Sequence, residues 1–172
     1  YLKYYISTIT LIIAFHVCFR GEYYPTIFFF CFSLFIILGD LVVREDSAEQ
    51  QYSKLYLLNL PMYLNFPLLT IILLISAFML GDVPQNAFTN IISAYLNINI
   101  LEVRDSLNIY DSIFLVAQMG LFIGIMGTVP GHELVHRKKN KFDMFMGNWL
   151  LALSWDCAFA LEHVHGHHKN VG

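Results

Sequence analysis

The chain has 172 residues, of which 57% are apolar and 13% are charged, and its mean hydropathy is +0.57. Soluble domains are about half apolar and about a quarter charged, so this composition places the chain in the membrane class. The net charge is −3, with no basic tail and no stripe of Arg and Lys, which argues against nucleic acid as a partner.

Four apolar runs predict membrane-crossing helices. A helix needs about 20 largely apolar residues to cross the core of a bilayer, with a range of about 17–25. The first run is slightly short and the others fit; the runs are Tyr4–Phe19, Thr26–Val43, Leu57–Leu80 and Ile113–Val129. The predicted fold class is all-α, a polytopic transmembrane helical bundle with its crossing helices in residues 4–130. We predict a single integral-membrane domain over residues 1–172.

Two features modify the later runs. Pro61 and Pro67 predict that the third run is kinked or that its helix starts later. Small residues in the fourth run, at Gly120, Gly124 and Gly127, allow neighbouring helices to approach closely.

The basic residues predict the orientation of the helices. If four helices alternate, one side holds most of the Lys and Arg and the other side holds only Arg20 and Arg104. The positive-inside rule places the richer side in the cytoplasm, and the connection over residues 81–111 outside. The predicted cytoplasmic residues are Lys3, Arg44, Lys54, Arg137, Lys138, Lys139 and Lys141.

A fifth apolar stretch, Met144–Leu161, is interrupted by polar residues such as Asn148 and Asp156. It joins two groups of histidines, and a full crossing would put these groups on opposite faces of the membrane. We therefore predict that this stretch is interfacial or re-entrant, because irregular backbone at membrane depth is tolerated when protein or a cavity surrounds it.

The histidines are concentrated in the last quarter of the chain. The first group, "GHELVHRK" over residues 131–138, holds His132 and His136, which are four residues apart and share a helical face. The second group, "EHVHGHH" over residues 162–168, repeats this spacing in His163 and His167, and His168 follows. Both groups are typical of metal ligands, although imidazole alone does not distinguish zinc, copper, iron and nickel.

Two other histidines are not predicted ligands. Helical spacing turns His165 away from the face that His163 and His167 share. His16 lies alone in the first apolar run, where a hydrogen bond near the helix end is the simpler role.

Two alternatives use the same residues. "HELVH" matches the HExxH pattern of zinc metalloproteases, in which the central Glu is the general base, but this reading leaves the second group without a role. A histidine-rich metal transporter is the other alternative, although transporter ligands belong at mid-bilayer depth rather than beside a basic loop.

"HELVHRK" followed by "EHVHGHH" resembles the first two histidine boxes of the integral-membrane alkane 1-monooxygenase family. These are non-haem di-iron oxygenases related to xylene monooxygenase and to membrane fatty acid desaturases. The first box departs from the family pattern at Arg137, where Lys is usual. Three residues separate His163 from His167, which favours the alkane hydroxylases over a membrane fatty acid desaturase or hydroxylase, the nearest alternative.

This resemblance implies the chemistry and the roles of the residues. It implies two non-haem iron ions, hydroxylation of the terminal methyl of an n-alkane with O₂, and electrons from rubredoxin and rubredoxin reductase. It also implies an integral protein of the bacterial inner membrane, with its metal site on the cytoplasmic side. Glu133 and Glu162 are the candidates for orienting the imidazoles, and the implied iron ligands are His132, His136, His163, His167 and His168.

The family pattern also implies a third box, of the HxxHH kind, which this sequence does not contain. Because the chain starts at Tyr1 and stops at Gly172, we expect a fragment that is incomplete at both ends, with further ligands downstream. Five histidines leave two irons short of ligands, so we expect residues 1–172 alone to be inactive.

Overall fold

The structure is a computed structural model that describes residues 2–43 and 52–167. These residues form helices joined by turns and include no strand, which confirms the predicted all-α class. In chain order the elements are a 3₁₀ turn Leu2–Tyr5, α1 Ile6–Cys18, α2 Tyr24–Val42, α3 Leu55–Leu80, α4 Ala87–Leu96, α5 Ile100–Asp105, α6 Ile109–Phe122, a π-helical turn Ile123–Thr128, α7 Val129–Val135, α8 Lys141–Ala152 and a π-helical segment Ala160–His167.

Three helices among the described residues are long and apolar enough to cross a membrane: Tyr24–Val42, Leu55–Leu80 and Ile109–Val135. At most 33% of the residues in the apolar window of each helix are buried, as expected of helices that face lipid. These helices confirm three of the four predicted crossings by length and composition. The helix Leu2–Cys18 is apolar but shorter, so the first crossing stays a prediction.

The third and fourth crossings extend beyond the predicted runs. Helix α3 begins at Leu55, and Pro61 and Pro67 lie inside it, so neither proline delays its start. The span Ile109–Val135 continues from α6 through the π-helical turn into α7. The first histidine box is therefore carried on the end of a membrane-length helix.

The fifth apolar stretch forms two elements rather than one. Helix α8 has 12 residues, too few to cross a bilayer, and it ends at Ala152. A turn follows, in which Trp155 adopts a positive φ of 63°. The π-helical segment Ala160–His167 then carries the second histidine box as far as His167.

Contacts between residues divide the chain into two compact units. The first, here called the histidine unit, consists of Tyr1–Leu11, Lys54–Ile71 and Met119–Gly172. The second unit consists of Ile12–Ser53 and Ile72–Gln118.

Within the histidine unit, Asn65 of α3 binds the π-helical turn. Its side chain is almost fully buried at 2% exposure. Asn65 Nδ2 donates to the carbonyl oxygen of Met126 at 2.9 Å, and Ser7 Oγ donates to Asn65 Oδ1 at 3.3 Å. Both the oxygen and the nitrogen of this buried amide therefore have hydrogen-bond partners, and the bond to Met126 stabilises the turn. An unpaired amide in an apolar setting would be costly.

Within the second unit, Asp111 begins α6 as a buried carboxylate. It accepts hydrogen bonds from Thr26 Oγ1 at 2.5 Å and from the backbone N–H of Asn108 at 3.1 Å. Phe114, one turn later, packs its ring against Phe29 and Phe30 of α2. The start of α6 is thereby held against α2 by one polar and one aromatic contact.

The three glycines of the fourth run differ in their surroundings. A Cβ atom built at Gly120 or Gly124 has no neighbouring heavy atom within 4 Å in the described structure, whereas one at Gly127 would lie 3.5 Å from Leu69 Cδ1. The predicted close approach of helices is therefore found at Gly127 and is not found at Gly120 or Gly124.

Candidate metal centre

The first histidine box ends the helix α7. His132 lies in its second half, and His136 is the residue that caps its C-terminus. Because the two residues are one helical turn apart, their rings project from the same face. Their Nε2 atoms lie 3.1 Å apart, and both side chains are half-buried.

His163 of the second box completes a group of three. Its Nε2 lies 3.0 Å from Nε2 of His132. One ring nitrogen from each of His132, His136 and His163 lies within 4.8 Å of the other two. Imidazoles separated by about thirty residues of chain are thus brought to one point by the fold.

The arrangement of the three nitrogens fits a bound cation. A ring nitrogen offers one lone pair or one proton in the plane of the ring, yet Nε2 of His132 faces two other ring nitrogens. A metal held by imidazoles at about 2.0–2.1 Å would set these nitrogens about 2.9 Å apart at right angles and about 3.3 Å apart at tetrahedral angles. The observed 3.0 and 3.1 Å lie between these values. The three imidazoles therefore supply donors that could hold a transition-metal ion, and two of their three spacings match such a site.

Close packing of two glycines sets the position of the first box. Helix α7 crosses α8 where Gly131 meets Gly147. A Cβ atom at Gly147 would lie 2.9 Å from the carbonyl oxygen of Gly131 and 2.8 Å from Val135 Cγ1. A Cβ atom at Gly131 would lie 3.0 Å from Leu151 Cγ. Only glycine permits this approach, which fixes His132, the next residue after Gly131, relative to α8.

Arg137 anchors the end of the first box to two other helices. Its Nη1 donates to Asn59 Oδ1 of α3 at 2.8 Å and lies 3.6 Å from Asp143 Oδ2 of α8. Asp143 is buried, and it also accepts a hydrogen bond from the Tyr63 hydroxyl at 2.5 Å. We call Arg137, Asp143, Asn59 and Tyr63 the arginine clamp. The clamp follows His136 directly, so it restrains the backbone that carries this ring.

The second box is held mainly by apolar contacts. Val135, Leu151 and Ala160 form a small buried cluster at the base of the π-helical segment. Phe159 packs against this cluster, and its ring stacks on His163 with the centroids 4.7 Å apart. The aromatic ring thus limits the rotation of the one imidazole that this box contributes among the described side chains.

The remaining predicted ligands lie beyond the described side chains. The side chain of His167 and the whole of His168 are outside them, as is the side chain of His165. Their roles stay predictions from spacing. His16 is described, and its Nδ1 lies 2.7 Å from the carbonyl oxygen of Ile12 in the preceding turn.

Neither predicted carboxylate belongs to the described group of metal-binding side chains. Glu133 is exposed, and Oε1 of its carboxylate accepts from Arg137 Nη2 at 3.4 Å, one turn along α7. Glu162 is exposed as well. Among the described residues the group consists of imidazoles alone.

Sequence reasoning missed the residues that support the site: Asn59, Tyr63, Asp143 and Phe159. One signal was available, because Asn59 and Asn65 interrupt an otherwise apolar crossing helix, and polar residues there are expected to have partners. Phe159 carries no such signal, since it is one apolar residue among many.

Part of the chain is similar to an alkane monooxygenase. Over 56 residues, which are 33% of this chain, it is 39% identical to Alkane 1-monooxygenase 1 of Pseudomonas aeruginosa. The matched segment covers 14% of that relative, so the chain spans a small part of its length. No family model and no solved structure matches the chain. The similarity supports the alkane monooxygenases as the family at the level of this segment.

Proposed function

We propose that this protein is an integral-membrane non-haem iron monooxygenase that hydroxylates the terminal methyl of n-alkanes, using O₂ and electrons from rubredoxin and rubredoxin reductase. The observation that carries the proposal is the convergence of His132, His136 and His163, which come from both histidine boxes. The partial identity with an alkane 1-monooxygenase supports the same chemistry.

The proposed reaction requires iron rather than zinc, and we propose two iron ions. When bound, iron supplies the redox chemistry that activates O₂, which zinc lacks. The proposed ligands are the three grouped histidines together with His167 and His168. In a π-helix, whose hydrogen bonds run from residue i to i+5, positions four and five residues apart return to one side. This is the spacing from His163 to His167, the last residue of the described segment, and His168 is proposed from the resemblance of the box alone.

The surroundings of the histidines suit an apolar substrate. An n-alkane partitions into lipid, so it is most concentrated beside the exposed apolar helices of this protein. A methyl end offers no polar group, so selectivity depends on the shape of an apolar path. Each added methylene contributes about 0.8 kcal/mol of burial, so we expect a broad preference for chain length with a steric limit.

We propose that Glu133 acts through Arg137 rather than directly on an imidazole. Its carboxylate pairs with Arg137 at 3.4 Å, and Arg137 anchors the residue that follows His136. Outer partners of this kind orient metal ligands and tune their affinity. For Glu162 we keep the role predicted from the sequence, in which this carboxylate, next to His163 in the chain, helps to orient the imidazoles of the second box.

We further propose that the site faces the cytoplasm of a bacterial inner membrane. The basic residues Arg137, Lys138, Lys139 and Lys141 follow the first box directly, and the positive-inside rule places such a loop in the cytoplasm. This side is where soluble electron donors would reach the site.

The contacts of Glu133 and the place of the histidines argue against the other candidates. A zinc metalloprotease needs Glu133 free to act as a general base beside the metal, whereas here it is exposed and paired with Arg137. A transporter needs its ligands near mid-bilayer depth, whereas His132 and His136 lie at the end of the Ile109–Val135 span. A membrane fatty acid desaturase stays the alternative, and the product of the reaction, an alcohol or a double bond, distinguishes the two.

The test is an assay of membranes that contain the protein expressed from its complete gene. They are supplied with rubredoxin, its reductase, NADH, octane and isotopically labelled O₂. We expect the terminal alcohol with one labelled oxygen, and its loss in His132→Ala but not in the matched control His16→Ala. Desaturated acyl lipids with no labelled alcohol would move the protein to the desaturases, and activity with zinc as the only metal would overturn the iron proposal.

A further inference from the structure

Helix α8 carries large apolar side chains on its exposed face as well as on its buried face. The covered face includes Met146, Gly147, Leu150 and Leu151, which pack within the histidine unit. The opposite face carries Phe142, Phe145 and Trp149, which are 53%, 54% and 49% exposed. We call these three residues the aromatic row. Large aromatic side chains aligned along one face of a short helix indicate a surface that contacts something apolar.

The aromatic row is continuous with a membrane-crossing helix. Phe142 packs edge-on against Tyr63 of α3 with the ring centroids 5.0 Å apart, and Trp149 lies 5.9 Å from Phe66 of the same helix. Helix α3 is one of the three membrane-length helices of the described residues. A surface that starts on the side of a lipid-facing helix and continues along α8 remains in contact with the same lipid.

A basic loop precedes the aromatic row directly. Lys138, Lys139 and Lys141 are exposed at the start of α8. The loop borders an open cavity of about 520 Å³, lined by His136, Arg137, Lys138, Lys139, Asn140 and Asp143. The buried carboxylate of Asp143 is engaged by Tyr63 and Arg137, so the exposed charge at this cavity is positive.

We propose that α8 is an interfacial helix that binds anionic phospholipids, with the aromatic row at the boundary of headgroups and acyl chains and the basic loop on the phosphate groups. Tryptophan and other aromatic rings favour this level of a bilayer, and lysines beside them are attracted to anionic headgroups. An acidic protein partner would account for the exposed lysines but would not account for the exposed rings of Phe142, Phe145 and Trp149. A partner with an apolar surface would account for the aromatic row but not for the positive charge of the basic loop.

This proposal goes beyond the proposed reaction and does not depend on it. It concerns how the first histidine box is held at the membrane surface: α8 carries Gly147, which packs against Gly131 of α7, the residue before His132. A lipid-bound α8 would place the histidines at the level of the headgroups whatever metal they hold.

The depth of Trp149 tests the position of α8. The chain contains two tryptophans, Trp149 and Trp155, so the variant Trp155→Phe reports on Trp149 alone. The protein is reconstituted in nanodiscs whose lipids are brominated near the headgroup, at mid-chain or near the chain end. We expect the strongest fluorescence quenching from the bromine nearest the headgroup. Strongest quenching from the chain end, or no quenching by any lipid, would overturn the interfacial position.

The headgroup preference is tested in the same variant. Brominated phosphatidylglycerol and brominated phosphatidylcholine are compared at equal mole fraction in otherwise identical nanodiscs. We expect phosphatidylglycerol to quench Trp149 at least about twofold more, because lysines near a membrane surface concentrate anionic lipid.

Neutralisation of the basic loop supplies the matched control. Lys138→Gln, Lys139→Gln and Lys141→Gln together should abolish the preference for phosphatidylglycerol while quenching by brominated phosphatidylcholine persists. A preference for phosphatidylglycerol that survives in this triple variant would overturn the role of the lysines. Equal quenching by the two lipids in the protein with its lysines intact would overturn the recognition of anionic lipid.

Discussion

The two histidine boxes are supported in different ways. The first lies on a regular α-helix, closely packed at Gly131 and Gly147 and anchored by the arginine clamp. The second lies on a π-helical segment, where the described candidate ligand His163 contacts the ring of Phe159 beside a small apolar cluster. Among the contacts described, close backbone approach and charged hydrogen bonds support the first box, and side-chain packing supports the second.

This difference indicates which box is positioned for metal binding before a metal binds. A pair of imidazoles one turn apart on an anchored helix is positioned before any metal binds. His163 is restrained by ring stacking, and it lies on a π-helical segment of the kind that is frequent at functional sites. We therefore expect the first box to dominate affinity for the metal and the second box to complete the coordination.

Removal of His132 should have the largest effect. Its Nε2 contacts both other rings, so His132→Ala should lower bound iron by more than about a hundredfold, beyond the 10- to 100-fold typical of losing an outer partner. His163→Ala should retain weak binding to the His132–His136 pair. Iron content by plasma mass spectrometry measures both, with His16→Ala as the control. Equal losses in the two variants would contradict the unequal roles of the boxes.

The glycine contact should come next. Gly147→Ala places a methyl group 2.9 Å from the carbonyl oxygen of Gly131, and overpacking of this kind costs about 1–3 kcal/mol. Thermal unfolding in detergent measures the loss. Gly120→Ala is the matched control, because no described atom lies within 4 Å of its new Cβ and alanine favours a helix by about 0.5–1 kcal/mol. A Gly147→Ala protein as stable as its parent would show that α7 and α8 do not pack closely.

Disruption of the arginine clamp should weaken metal binding without unfolding the protein. Tyr63→Phe removes the hydroxyl that donates to Asp143 at 2.5 Å. Because the clamp acts on His136 only through the backbone, we expect metal affinity to fall by up to about 10-fold, the lower end of the range for a direct outer partner. The dissociation rate of bound metal, measured with a chelator, reports the effect. Tyr110→Phe, at an exposed tyrosine of α6, is the control. An unchanged rate would mean that the clamp does not restrain His136.

The stacking of Phe159 should give the smallest effect. Phe159→Leu keeps an apolar side chain but removes the ring that lies 4.7 Å from His163. Such ring contacts contribute about 0.5–1.5 kcal/mol beyond buried area. We expect a change of this size in metal affinity, seen with cobalt as a spectroscopic probe, and none in Phe88→Leu, whose ring is exposed on α4. An effect larger than that of the clamp would reverse the order of the two boxes.

The parts of the structure that follow local rules were predictable. Hydropathy and length predicted the spans that contain α2, α3 and α6, because each apolar run is long enough on its own. The spacing of His132 and His136 predicted a shared face because four residues make about one helical turn.

The parts that depend on distant residues were not predictable. Asn59 and Tyr63 meet Arg137 and Asp143 across 78 and 80 residues of chain, a pairing that no local pattern indicates. The sequence predicts α-helical spacing for the histidines of the second box, whereas the described segment Ala160–His167 is π-helical. The fifth apolar stretch was predicted as one segment because its interruption after Ala152 lacks a proline or a glycine.

The π-helical turn Ile123–Thr128 has a consequence for how such a protein diversifies. A π-turn holds one residue more than the α-helical turn it replaces, and one residue corresponds to a rotation of about 100° in an α-helix. Asn65 accommodates the extra residue by donating to the carbonyl oxygen of Met126. Loss of one codon in this turn would therefore leave the membrane span intact while swinging His132 and His136 to another side of the helix. A single deletion, rather than a gradual series of substitutions, would therefore separate these two imidazoles from His163.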